Sequence, residues 1–400
     1  MSSISKTDEA EGKDPPQRNW VLPLGLLFSI GGTMLLMQVY GRYWALLFAL
    51  GLALGVTLYH AAFGFASSWR RFLLTGDGQG IRAQIIMLAT ASLVFFPILS
   101  QGEIFDRPIV GAVAPAGLSV AFGAFLFGVG MQLAGGCASG TLYALGGGSS
   151  RMVIVLLFFM AGSVLGSAHL PFWLEWGRGD SISLVTELGA AEGLLAQLAA
   201  LFLFFLITVW VERRKGFIRQ WSSGPKGGLA IIWRGPWPLY AGAVALAILN
   251  IATLALAGHP WSIAFGYTLW GGKIASFAGL DLSSWTFWSW PGPSKALAGS
   301  VFENSTSVMN FGLLIGAFLA AGLAGRFRPA GEFVPRQALA AVLGGILMGY
   351  GARLAFGCNV GAYFSGIASG SLHGWLWLFA AMAGTYFGVR LRPHFLLSRI

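Results

Sequence analysis

The sequence predicts an all-α, polytopic integral membrane protein made of two inverted repeats, whose broken or re-entrant helices meet at the bilayer midplane. Three observations lead there. The 400 residues are 56% hydrophobic and only 10% charged, whereas a soluble domain carries about a quarter charged residues. Apolar runs of roughly the 17–25 residues needed to cross a hydrocarbon core recur along the chain. Glycine, 58 of the 400 residues, is scattered through those runs rather than gathered in linkers, as close helix packing and interrupted membrane helices require.

The elements follow in order. Residues 1–19 form a polar tail in which Asp8, Glu9, Glu11 and Asp14 mix with Lys6, Lys13 and Arg18. Such a segment is expected to be disordered and cytoplasmic, and it lacks the apolar centre of a cleavable signal. Apolar runs near 20–39, 44–65, 84–99, 118–135, 152–169 and 190–211 make up a first half, 20–211. The connection 212–236 carries Arg213, Arg214, Lys215, Arg219 and Lys226, and the positive-inside rule puts it in the cytoplasm. A second half, 237–400, has runs near 237–257, 261–280, 308–324, 338–356 and 372–388.

If every run of the second half crossed once, Arg326, Arg328, Arg336, Arg390, Arg392 and Arg399 would face outward, against the same rule. One crossing between 237 and 324 is therefore miscounted. Either a run there is re-entrant, or the Trp-rich stretch 281–300 hides a further crossing. The net charge of +10 resides in these short connections and not on a basic face, so no nucleic-acid partner is expected. Trp residues cluster near run ends and in 285–290, where amphipathic rings sit among the headgroups of membrane lipid.

The most informative feature is an internal repeat. Residues 123–140 (GAFLFGVGMQLAGGCASG) align without gaps on 344–361 (GGILMGYGARLAFGCNVG), with nine of eighteen positions identical. The chain's two cysteines, Cys137 and Cys358, coincide. After a one-residue slip the match resumes, Met160-Ala161-Gly162 on Met382-Ala383-Gly384. Gly136 and Gly357 precede the cysteines and Gly140 and Gly361 follow three residues later, which lets the backbone break its helix and approach a ligand closely. At membrane depth such breaks are tolerated only where they are buried in protein or line a watery cavity.

The residues just past each cysteine, Ser139 and Asn359 among them, are then expected to open short helices whose free N–H groups favour a small anion. A thiol adds a weak donor and a polarisable surface, suited to sulfur in a ligand. An isolated buried cysteine is ordinarily a small apolar filler; the only two in the chain, at equivalent positions of a repeat, point to a shared role. They are too few for a disulfide framework or a thiolate cage, and the five His show no ligand spacing, so neither metal nor cofactor is expected. Reversible thiol chemistry through a persulfide remains open.

Arg353, matched by Gln132 in the first copy, is the leading candidate to offset the charge of an anion. Lys273 and Arg151 are further candidates that could equally snorkel to an interface. Asn310 and Gln84 are polar residues opening apolar runs, where helix capping competes with function. The Gly-rich stretch 76–80, followed by Arg82, has no Walker lysine and reads as a turn bearing basic residues at the cytoplasmic edge.

At the two Gly-Cys repeats, and again at GDGQGIRAQ (76–84), LWGGK (269–273) and SVMNFG (307–312), the chain resembles the YeeE/YedE sulfur-transport family. The likeness covers most of 40–390. The resemblance implies a transporter and not an enzyme, one that takes up thiosulfate or a closely related sulfur anion through an hourglass-shaped helical protein of the bacterial inner membrane. It also implies that Cys137 and Cys358 offer S–H contacts to the passing sulfur, and that a small sulfurtransferase-like protein partners the chain in the cytoplasm. A family mechanism using a third thiol near the entrance does not carry over, because this chain has two cysteines. A membrane-embedded thiol-dependent sulfurtransferase and a selenium-compound transporter fit the same residues.

Overall fold

A computed structural model describes residues 19–177, 179–216, 228–329 and 334–399. Nearly all of the polar tail and the middle of the 212–236 connection, with Arg219 and Lys226, lie outside the described residues.

The first half holds α1 (Val21–Val39), α2 (Arg42–His60), α3 (Phe65–Thr75), α4 (Gln79–Gln101), α5 (Leu118–Ala134), α6 (Ala138–Gly146), α7 (Arg151–Glu175), α8 (Leu184–Leu188) and α9 (Ala190–Arg214). The second half holds α10 (Ala230–Arg234), α11 (Leu239–Ala257), α12 (Ala264–Phe277), α13 (Thr286–Ser289), α14 (Pro291–Ala298), α15 (Ser305–Leu323), α16 (Pro335–Leu354), a π-helical segment (Asn359–Ser365), α17 (Gly366–Ala368) and α18 (Leu372–Leu391). Among the described residues the all-helical expectation is modified by a hairpin of two-residue strands, Glu103–Ile104 with Arg107–Pro108, and by an isolated bridge between Ser183 and Ser371. Among the described residues, nine helices are long and apolar enough to cross a membrane, which makes this a multi-pass membrane protein.

Local chemistry sets several boundaries. Pro335 and Pro291 begin α16 and α14, where a missing N–H costs nothing. The Asn304 side chain accepts from the Ser307 N–H at 3.0 Å and caps α15. Run 44–65 divides because α2 ends at His60 and Ala62 turns left-handed, at φ 46°. Run 261–280 yields only the 14 residues of α12, about 21 Å at 1.5 Å per residue, short of the roughly 30 Å of hydrocarbon. Trp261 is held outside that helix, its N–H donating to Asn250 Oδ1 at 2.7 Å.

Glycines let the helices of the centre approach backbone to backbone. A Cβ on Gly123 of α5 would lie 2.7 Å from the carbonyl oxygen of Gly351 on α16, and a Cβ on Gly130 would lie 2.8 Å from that of Gly344. Numbers rise along one helix as they fall along the other, so α5 and α16 cross antiparallel. In the repeat alignment Gly123 corresponds to Gly344 and Gly130 to Gly351, so each of these contacts is the counterpart of the other. Likewise Gly162 of α7 abuts Ile346 of α16, while its equivalent Gly384 of α18 abuts Phe125, the equivalent of Ile346, on α5.

The outer helices differ: only 17% of the apolar window of α9 and 22% of that of α1 are buried, leaving Leu27, Met34, Leu195 and Phe202 to face lipid. One end of the bundle is basic. Lys215 Nζ donates to the Leu73 carbonyl at 2.6 Å, Tyr59 to the Arg326 carbonyl at 3.2 Å, and the Arg328 N–H to Gly147 at 3.1 Å. Leu73 and Leu74 also share a cavity of about 420 Å³ with Arg390 and Arg399. The basic segments of both halves are thus gathered at the same end.

Candidate functional site

Both Gly-Cys motifs sit at helix breaks. α5 stops at Ala134, Gly135 takes the left-handed conformation (φ 85°), and Cys137 is extended (φ −85°, ψ −171°) as it opens α6. In the second copy α16 stops at Leu354 and Cys358 is extended (φ −115°, ψ −168°) as it opens the π-helical segment. Phe356 stands where the first copy has Gly135 and is itself left-handed, at φ 54°, a conformation that costs a bulky residue about 1–2 kcal/mol. Gly357, at φ 159°, completes the turn.

The first intrahelical bonds of the two segments run from the Thr141 N–H to the Cys137 carbonyl at 2.8 Å and from the Ala362 N–H to the Cys358 carbonyl at 2.9 Å. The N–H groups of the residues between are those a helix start leaves without an intrahelical partner. Cys137 Sγ faces the N–H groups of Ser139 and Gly140 and lies 3.3 Å from Ser139 Oγ. Cys358 Sγ faces those of Val360 and Gly361 and, from the start of α12, that of Ala264. The thiols are 2% and 1% exposed, and each lies within electrostatic reach of the other.

Within electrostatic reach of both is a residue that the sequence did not single out. Tyr267 of α12 is fully buried, within electrostatic reach of both thiols, and its hydroxyl donates to the Ala138 carbonyl at 2.9 Å. It lies inside an apolar run, and the nearest signal was LWGGK two residues later. Asn359 is also fully buried, and neither its Oδ1 nor its Nδ2 has a partner among the described residues. Asn310 is a mid-helix residue of α15 and not a cap: its Nδ2 donates to the Ile263 carbonyl at 3.0 Å while its Oδ1 is unpartnered. It thereby joins the residue just before α12, whose first N–H faces Cys358.

The other candidates go elsewhere. Gln132 is buried against α3, donating to the Ala66 carbonyl at 3.0 Å and accepting from Arg70 at 3.2 Å. Its repeat equivalent Arg353 lies over the Phe287 ring, 4.8 Å from the centroid, beside α13. Each of the two thus braces a neighbouring helix. Lys273 donates to the Leu297 carbonyl at 2.6 Å and closes the end of α14. Gln84 accepts from Trp69 Nε1 at 2.8 Å. In the 76–80 turn Arg71 pairs with Asp77, whose Oδ1 accepts from the Gln79 N–H at 3.0 Å.

Comparison with known proteins agrees with the resemblance carried by the Gly-Cys repeats. The family described as sulphur transport matches residues 60–387. The thiosulfate transporter TsuA of Spirochaeta thermophila is 28% identical over 345 residues, 82% of this chain and 92% of its own length. TsuA of Escherichia coli is 27% identical over 345 residues, 84% of this chain and 91% of its own. The probable transporter YedE of Escherichia coli is 31% identical over 154 residues, 38% of this chain and 37% of its own.

Proposed function

The chain belongs to the sulphur transport family, and from that membership we propose that it carries thiosulfate, or a closely related small sulfur-containing anion, across the bacterial inner membrane past Cys137 and Cys358. The observation that carries this reading is the pairing of the thiols: two buried cysteines, each at a helix start behind a break, within electrostatic reach of one another.

Thiosulfate has three oxygens and one terminal sulfur. Its oxygens accept from N–H groups that the two helix starts leave without an intrahelical partner, and its large, polarisable sulfur meets the weakly donating S–H groups. The thiols have to remain protonated, because a thiolate would repel a passing dianion. Sulfate offers no soft end to the thiols and is a poorer guest. Asn359, with its amide unpartnered beside Cys358, supplies a further donor that the protein itself leaves unused.

The two copies enter the bilayer from opposite faces in this reading, and their cysteines form successive stations. Three features support the inversion: the antiparallel α5–α16 crossing with reciprocal glycine contacts, the collection of basic segments at one end, and the shortness of α12, which in this reading is re-entrant. Cys137 lies on the side of the basic, cytoplasmic end, since Arg151 and Arg392 bind the last carbonyls of α5. An incoming anion meets Cys358 first.

Carriage without chemistry is tested by loading proteoliposomes of the purified protein with thiosulfate labelled separately at each sulfur. Both labels are expected inside at equal rates, in intact thiosulfate. Arrival of only one label, or a cysteine persulfide trapped during turnover, would instead favour a membrane sulfurtransferase.

A further inference from the structure

Three arginines from separate parts of the chain converge on the end of α5, and the passage described above uses none of them. Arg392, in the turn after α18, is 6% exposed; its NH1 donates to the Gln132 carbonyl at 2.5 Å and its Nε to that of Ser398 at 2.5 Å. Arg151, at the start of α7, donates to the Leu133 carbonyl at 2.6 Å. Arg70 of α3 donates to Gln132 Oε1 at 3.2 Å. Arg392 feels both of the others: its pKa is pushed down to about 10 by burial first and then by the charges of Arg70 and Arg151.

Three guanidiniums this close repel one another, and among the described residues no carboxylate offsets them. The ion pairs there join Arg71 to Asp77 and Arg82 to Glu212. The carbonyls at the end of α5 supply only the partial negative charge of a helix terminus, about half an elementary charge. Donors are also left over. The Nε atoms of Arg70 and Arg151 are buried without partners, and a buried donor attached to a charge is costly to leave unmade. The site is open to solvent at one point: Gly135 is exposed, and a Cβ there would lie 3.4 Å from Arg151 NH1.

We propose that Arg70, Arg151 and Arg392 form a binding site for a tetrahedral oxyanion over the α5–α6 turn, two residues from Cys137. Guanidinium forks match such oxygens in geometry and charge. The ligand's source is either a free inorganic oxyanion, such as sulfate or thiosulfate, or the phosphate of an anionic lipid headgroup. The site is inferred from charge and geometry alone, and an equilibrium binding measurement tests it without calling on transport.

The experiment is binding of radiolabelled sulfate to the detergent-purified, delipidated protein at fixed ionic strength in sodium chloride, with thiosulfate and phosphatidylglycerol as separate competitors. Saturable binding is expected, weakened about tenfold or more by R70Q, as loss of one charge-assisted donor pair implies, and restored in large part by R70K. R71Q, at a neighbouring but exposed arginine, is expected to leave it unchanged. R70Q is chosen because Arg70 holds a side chain and not a helix end; R151Q supplies a second, independent reading. Competition by thiosulfate identifies a free anion as occupant, and competition by phosphatidylglycerol alone identifies a headgroup. Absence of saturable sulfate binding, or binding equally strong in R70Q and R151Q, overturns the site. Either failure would leave thiosulfate uptake by the wild-type protein untouched, and so would be distinguishable from failure of the proposed passage.

Discussion

Asn359 is fully buried with neither amide atom bonded to a described group, and a buried polar atom left unsatisfied costs about 1–3 kcal/mol. Replacing it with leucine, of similar volume, removes that cost. N359L is therefore expected to melt at the wild-type temperature or higher while its thiosulfate uptake falls about tenfold or more, measured as initial rate in proteoliposomes against a detergent melt of the same preparation. A less stable variant with unchanged uptake would make Asn359 a packing residue. At this scale the helix breaks at the two cysteines were legible because their glycines recur in a repeat. Tyr267 recurs nowhere and sits in a run of apolar residues, so nothing marked it until the chain folded it within electrostatic reach of both thiols. Gln132 and Arg353 were legible as polar residues in apolar helices; which neighbours they brace depends on α3 and α13, whose positions no local pattern gives.

The α5–α16 crossing brings the argument to the scale of elements. Gly130 and Gly351 are repeat equivalents, and a Cβ on either would lie 2.8 Å from a backbone nitrogen of the facing helix, Met348 and Phe127 respectively. Backbone cannot yield as a side-chain end does, so G130A and G351A are each expected to destabilise the protein by about 1–3 kcal/mol. The two losses should be similar, read as the fall in melting temperature, and a large loss at one site with none at the other would break the reciprocity. Long helices such as α4, α7 and α9 were readable as apolar runs of crossing length. The short ones were not. α6 and α12 are 9 and 14 residues long, and α3 begins at Phe65, where run 44–65 ends, and carries Arg70 and Arg71, so length and hydropathy merged them with their neighbours or missed them. The break behind each cysteine was legible from glycine, yet Phe356 shows that a bulky residue can take the left-handed turn where tertiary packing holds it there.

For the whole molecule, the charges of the connections and the repeat together implied a crossing fewer or more between 237 and 324 than the apolar runs suggested. α12, at 14 residues, is shorter than the roughly 30 Å of hydrocarbon requires, and under the proposed passage it is the re-entrant run that this miscount calls for. The two breaks bring a cysteine from each half within electrostatic reach of the other, and the proposed passage rests on that juxtaposition. The most direct test is the initial rate of radiolabelled thiosulfate uptake into proteoliposomes, with excess sulfate present, by the wild-type protein, C137A and C358A. Uptake that resists sulfate and is lost in both variants, each of them inserted and melting normally, is the expected result. Uptake at the wild-type rate by either alanine variant would contradict a passage built on the two thiols.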